Sequence, residues 1–258
     1  MDENPYRSPE APLDPPEAPE PGGRLLPWEE PSTGGALARA WATARDILRD
    51  PEEAGRRIAP SRAVGKAIAF FALAALPFQW AGQALAVAFT PLDGSGNEWF
   101  FKALHLPVPP PPGPEQMAFA KVMVWVGVAM APLTFALGLL LSGLLAHAGL
   151  WMVKGLEGQR GLETTYRSIL YAGGATAWVG FLNAFGVFLP RGIHPVHQLF
   201  SLALALGILT FQGMVLGHAH GLRPWRGVAA IFLPWVILGC CLGALLAPVM
   251  MGVAAGSH

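Results

Sequence analysis

From Ala63 onward the chain is nearly all apolar, broken only by short polar connections. Five stretches, 63–89, 122–153, 166–189, 196–217 and 228–253, each reach the roughly 20 residues that a helix needs to cross a bilayer core. They predict an all-α fold, a polytopic membrane bundle of about five transmembrane helices. The pattern ahead of them is different. Leu37, Ala40, Trp41, Ala44, Ile47 and Leu48 recur at three- and four-residue spacing, with Arg39, Arg45, Asp46 and Arg49 on other faces. That predicts an amphipathic helix over Gly35–Arg49, capped by Ser32 or Thr33, ended by Asp50-Pro51 and suited to a membrane interface. Residues 52–62 follow as a basic juxtamembrane segment, with Arg56, Arg57 and Arg62 set to attract anionic headgroups.

Residues 1–31 are rich in Pro and Glu and bury too little apolar surface to offset ordering entropy, which predicts a disordered or polyproline II arm. Within it Leu25-Leu26-Pro27-Trp28-Glu29-Glu30 is an apolar-aromatic island, read as an adhesive linker ahead of a docking motif. Pro77 interrupts the first span. The second, about 32 residues long, needs tilt, a kink at Pro132 or protrusion beyond the bilayer. Residues 90–120 form a long loop with a proline run and the aromatic trio Trp99, Phe100 and Phe101.

Composition agrees: 53% of residues are apolar and 13% charged, with zero formal net charge, so nothing points to nucleic acid. No basic-then-apolar leader precedes the arm, so the first span is expected to direct insertion. Cys240 and Cys241 are adjacent inside an apolar stretch and read as packing residues. Charge sets the topology. Arg39, Arg45, Arg49, Arg56, Arg57, Arg62 and Lys66 precede the first span. Lys154, Arg160, Arg167, Arg223 and Arg226 fall on the same side, against Lys102, Lys121 and Arg191 opposite. The expected arrangement is N-terminus cytoplasmic and C-terminus on the other side.

Candidate chemistry is sparse. The spans hold no Asp or Glu, which argues against an ion-coupled pump. Gln79, Gln83, Thr134, Asn183, Gln198 and Gln212 are the strong hydrogen-bonding side chains within the membrane, read as joining helices rather than binding a solute. His147, His218 and His220 lie near the cytoplasmic ends of spans, His194 and His197 near the outer face. A metal site at His147, His218 and His220 is disfavoured, because residues two apart point to different helix faces and no acid or thiol joins them. No cofactor is expected. HExxH, GxSxG and Walker patterns are absent, so the chain reads as no enzyme. Glu157, Glu163 and Arg167 could form a small polar site, but a solvated connection with Arg167 snorkelling to headgroups is preferred. Gly213 with Gly217, and Gly239 with Gly243, have GxxxG spacing. Both pairs are read first as helix packing within the bundle and second as a route to a homo-oligomer.

At Gly161-Leu162-Glu163-Thr164-Thr165-Tyr166-Arg167-Ser168-Ile169-Leu170-Tyr171-Ala172 the chain resembles the Yip1 domain family. Bacterial members carry a polar turn followed by Thr-Tyr-Arg and Tyr-Ala or Tyr-Ser where the third span begins. Ala40–Pro51 is similar to the aromatic-rich amphipathic helix and acidic-Pro step that often open these proteins. The resemblance covers about Trp28 to Val253. The chain departs from the family where many members have a proline near the middle of span three, reading Phe181-Leu182-Asn183-Ala184-Phe185-Gly186 instead. For eukaryotic relatives the resemblance implies a secretory-pathway membrane protein that engages Rab-type GTPases and shapes or sorts membrane. For bacterial relatives it implies the fold. The Ala, Gly, Pro and Arg bias is of bacterial type, which points to the inner (cytoplasmic) membrane. The expected function is a membrane-organising scaffold or adaptor, with Trp28, Trp41, Tyr166, Arg167 and Tyr171 as interaction residues. The expected partners are the lipid bilayer and a cytoplasmic protein met through the arm. The competing reading is a carrier or lipid-handling protein for a small or amphiphilic solute, using the Gln, Asn and His set.

Overall fold

The computed structural model of the chain describes residues 25–30, 34–58, 64–89, 107–108, 110–156 and 160–255. Residues 1–24 of the expected arm, the aromatic trio and Glu157 lie outside them. Among the described residues there are helices and no strand. In chain order they are α1 (Ala36–Arg49), α2 (Pro51–Arg57), α3 (Gly65–Phe89), α4 (Pro114–Met152), α5 (Leu162–Ala184), α6 (His194–Ala219) and α7 (Pro224–Ala255). Short 3-10 turns at Phe185–Phe188 and Arg191–Ile193 join α5 to α6.

The five long helices match the five predicted stretches, with shifted ends. The second starts eight residues early, at Pro114, where proline loses nothing in the first turn and the Gln116 carboxamide oxygen accepts the Gly113 N–H at 3.1 Å. At 39 residues α4 is about 58 Å long, well beyond a bilayer core of roughly 30 Å. Helices α3, α4, α6 and residues 224–244 of α7 are long and apolar enough to cross a membrane. Helix α5 is the least apolar of the five and the most enclosed, packed by α1, α3, α4 and α6. Its first turns carry Thr164, Thr165, Arg167 and Ser168, all buried. A helix surrounded by protein can hold such side chains, because neighbouring helices rather than lipid satisfy them.

Elsewhere the outer surface is apolar. Leu133, Leu137, Leu140, Leu141 and Leu144 of α4 and Leu199, Leu202 and Leu206 of α6 are exposed, as lipid-facing residues are. Helix α7 lies against α4 and α6.

The four GxxxG glycines do not share the single role that their spacing suggested. The approach of α6 to α7 is close at Gly213, where a Cβ would stand 2.5 Å from Val228 Cα. Gly217 differs from Gly213. A Cβ on Gly217 would meet the Arg223 carbonyl oxygen and Gly227 at 3.4 Å, an ordinary contact, so packing does not demand glycine there. The residue that must be small opposite Gly217 is Gly227, whose Cβ would stand 2.1 Å from the Gly213 carbonyl oxygen and 2.4 Å from Gly217 N. The Gly217 carbonyl also accepts the Leu222 N–H at 2.8 Å, just beyond the end of α6 at Ala219. Gly239 and Gly243 are corrected as well: nothing lies within 4 Å of a Cβ at either, so they pack no helix among the described residues.

Two expectations near the N-terminus are also corrected. Residues 25–30 are not part of a free arm; they form a turn in which Glu29 and Glu30 N–H donate to the Leu26 carbonyl at 2.8 and 3.2 Å. Residues 51–57 are not an open basic segment but helix α2, begun by Pro51 and capped by the Asp50 carboxylate on Glu53 N–H at 2.9 Å. Arg57 turns inward, to the Leu25 carbonyl at 2.7 Å and the Asp46 carboxylate at 3.3 Å, while Arg56 pairs with Glu52. The turn, α1 and α2 together make a cap. It covers one end of the bundle, against α3, α5 and the last turns of α6.

Candidate functional site at the capped end

The cap is fastened by Glu29. Its carboxylate is buried and ion-pairs with Arg167, itself fully buried on α5. One turn further along α5 the Tyr171 hydroxyl donates to the same carboxylate at 2.8 Å. Arg167 thus does not snorkel to headgroups as the sequence suggested. An arginine within an apolar helix cannot be left without a counter-charge, and here the turn preceding α1 supplies it.

The rest of the turn is held by backbone groups. Trp28 N–H donates to Thr43 Oγ1 at 2.8 Å, and its indole N–H to the Lys66 carbonyl at 2.7 Å. Lys66 Nζ returns to the Glu29 carbonyl at 3.2 Å. The Arg39 guanidinium sits 5.5 Å from the Trp28 ring, and Trp28, Phe70 and Tyr171 form a run of ring contacts at 6.0 and 5.2 Å. Leu26 is fully buried beneath. Trp28 is therefore an internal anchor. Trp41 is not: it is 71% exposed, with Leu37 at 72% and Leu48 beside it, while Ala40, Thr43 and Ile47 take the buried side of α1. The predicted apolar stripe of α1 is split between the bundle and the outside.

A second polar cluster lies at the same end. His147 Nδ1 and His220 Nε2 stand 3.0 and 3.1 Å from the Thr165 hydroxyl oxygen, within hydrogen-bonding distance of both. Arg160 donates to the carbonyls of Ala219 and His218, which end α6. Burial, reinforced by the nearby Arg160 and His147, pushes His220 down to about 4, and its Nδ1 is buried with no hydrogen-bond partner among the described residues. His218 turns the other way, towards Gly55 of α2, where a Cβ would stand 2.7 Å from His218 Cβ. His194 Nε2 donates to the Leu189 carbonyl at 2.9 Å, far along the chain from this cluster. Among the described residues no three His, Cys, Asp or Glu side chains come together as metal ligands would.

Tyr166 lies over Gly143 of α4, with its hydroxyl on the Leu140 carbonyl at 2.7 Å. The intramembrane polar residues are not gathered. Gln79 and Gln83 line one cleft between α3 and α4, and Gln212 lines another. Asn183 is taken by the Ser201 hydroxyl, Gln198 faces outward, and Thr134 bonds back to Met130 and Ala131 of its own helix. Glu29, Lys66, Thr43 and Thr165 were not singled out from the sequence. The one signal was Arg167 itself, an unexplained charge at the start of an apolar helix that demanded an acid from elsewhere.

The arrangement joins segments that lie far apart in the chain. Comparison with curated proteins and with solved structures returns no match. A protein-family model does match: the Yip1 domain, over residues 45–246, which takes in α2 to α6, most of α7, Arg167, Tyr171 and both histidines of the second cluster. With a helical membrane bundle of the expected plan and a family match spanning most of its length, the chain belongs to the Yip1 domain family.

Proposed function

We propose that this protein is a non-catalytic membrane scaffold or adaptor whose capped end faces the cytoplasm, in a bacterial inner membrane. The observation that carries this reading is the fastening of residues 25–30 to the bundle through Glu29, Arg167 and Tyr171. It fixes α1 as a rigid shelf. One side of α1 is committed to the bundle, and the other presents Leu37, Trp41 and Leu48 beside Arg45 and Arg49. That combination suits the headgroup layer, with the aromatic at the boundary and the arginines towards lipid phosphates. The Pro/Glu-rich residues 1–24 are the segment through which a cytoplasmic protein would be recruited.

The carrier reading has less support. A solute path needs its polar groups in one place, and Gln79 with Gln83, Gln212, Asn183 and Gln198 stand apart.

The test is mass spectrometry of proteins that co-purify from native membranes in mild detergent, for the full chain, a chain lacking residues 1–24 and Trp41→Glu. Both variants keep the turn that covers Arg167. A partner lost with either variant supports the adaptor reading. The same profile from all three chains sinks it.

A further inference from the structure

We propose that the crevice among α4, α5, α6 and α7 holds an acyl chain of an anionic glycerophospholipid, with the lipid phosphate received by Lys154 and Arg223. The inference stands apart from the adaptor reading, since it concerns a bound lipid and not a protein partner.

The crevice has a volume of about 340 Å³. Ala146 of α4, Ile169 of α5, Leu209 of α6 and Ile231, Phe232 and Trp235 of α7 line it, and Ser142 and Gln212 are its polar groups. Such walls offer a hydrated solute almost nothing, and in a bilayer the competing filler is hydrocarbon.

Depth agrees. Ala146 is six residues from the end of α4, and Trp235 eleven from the start of α7. At 1.5 Å per residue the crevice runs from about 9 to about 16 Å below the capped end. A single leaflet contributes about half of a roughly 30 Å hydrocarbon core. The crevice therefore sits within one leaflet, the one on the capped side.

Charge supplies the headgroup end. The apolar cluster that includes Ala146, Ile169 and Ile231 of the crevice continues through Leu150 to the partly buried Val153, Leu156 and Leu222, towards the capped end. Gly155 and Leu222 touch, a Cβ on Gly155 standing 2.7 Å from Leu222 Cδ1. Their chain neighbours Lys154 and Arg223 therefore lie on adjoining connections at the capped end, and both are exposed. Arg160 already serves the α6 carbonyls, and Arg226 lies 5.6 Å from the Trp225 ring, so Lys154 and Arg223 are the cations placed for an incoming phosphate. Among the described residues of the two connections and the first turn of α5, Glu163 is the acid present. A basic rim over an apolar slot between spanning helices favours an anionic over a zwitterionic lipid.

The full chain is reconstituted in vesicles of equal phosphatidylcholine and phosphatidylglycerol, extracted in mild detergent and weighed intact by native mass spectrometry. The wild type retains one lipid, phosphatidylglycerol over phosphatidylcholine by roughly tenfold. Ser142→Phe, which fills the crevice, loses the retained lipid. Lys154→Gln with Arg223→Gln keeps a lipid but loses the preference. Leu202→Phe, on the exposed face of α6, behaves as wild type. In case Ser142→Phe does not fold, phosphatidylglycerol carrying a diazirine in its acyl chain is photo-crosslinked to wild type; labelled peptides should cover Ser142, Leu209 or Trp235. No retained lipid, equal retention of both lipids by wild type, unchanged retention by Ser142→Phe, or label spread evenly over α3 and the outer face of α4 would each overturn the proposal.

Discussion

Tyr171 and Glu29 stand 142 residues apart in the chain, yet the Tyr171 hydroxyl donates to the Glu29 carboxylate at 2.8 Å, alongside Arg167. The contact ties the segment before the first helix to the most enclosed helix of the membrane bundle. It also decides what a substitution there does. Removing one partner of a buried pair strands the other charge, at a cost of about 3–5 kcal/mol, whereas replacing both with apolar residues of similar size costs far less. Glu29→Leu and Arg167→Met should each lower the thermal midpoint strongly, and the double variant should recover much of the loss. Unfolding of the detergent-solubilised chain, followed by intrinsic fluorescence, checks this.

A second relationship lies inside the bundle. Pro132 has no N–H, so the Val128 carbonyl lacks its helical partner, and the Trp80 indole N–H of α3 donates to it at 3.1 Å. Trp80→Phe should cost about 1–3 kcal/mol by leaving that carbonyl unsatisfied. In a Pro132→Ala background the helix supplies the missing donor, and the same Trp80→Phe should cost much less. Thermal unfolding of the four chains of this double-mutant cycle reads the difference.

His220 makes stability depend on pH. Burial, Arg160 and His147 hold it near 4 in the folded chain, against about 6.5 when unfolded. Above pH 6.5 the group is neutral in both states and contributes nothing. Between about 6.5 and 4 the unfolded chain takes up the proton and the folded chain does not, so stability falls as pH falls through this window. His220→Gln should flatten that part of the curve. Thermal midpoints at half-unit steps from pH 7.5 to 4 show it.

The long helices were legible because the bilayer imposes a length and an apolar composition that composition alone reveals. The match weakened where protein replaces lipid as the surroundings. Helix α5 looks like a modest span because its first turns carry Thr164, Thr165, Arg167 and Ser168, and those residues are polar because α5 is enclosed. Helix α1 was found to within one residue, yet its stripe had one reading in sequence and two in space: Ile47 buried, Trp41 exposed. The small-residue spacing named Gly213 and Gly217 alike, but the close approach falls between Gly213 and Gly227, a residue that no motif on α7 marked. Spacing also separated His218 from His220 correctly, but could not bring His147 to His220 across Thr165, a meeting made by three different segments. Glu29 was hidden for the same reason. Nothing local distinguishes it from Glu30, and its role comes from an arginine 138 residues away.

Residues 25–30 are docked on the bundle through Glu29. Hydrogen–deuterium exchange of the full chain in lipid nanodiscs, read by mass spectrometry on peptides covering residues 25–30, tests it most directly. The Trp28 and Glu29 amides, bonded to Thr43 and to Leu26, should be protected in wild type and should exchange rapidly in Arg167→Met, with α4 unchanged. Rapid exchange in wild type, or protection that survives Arg167→Met, would contradict the account.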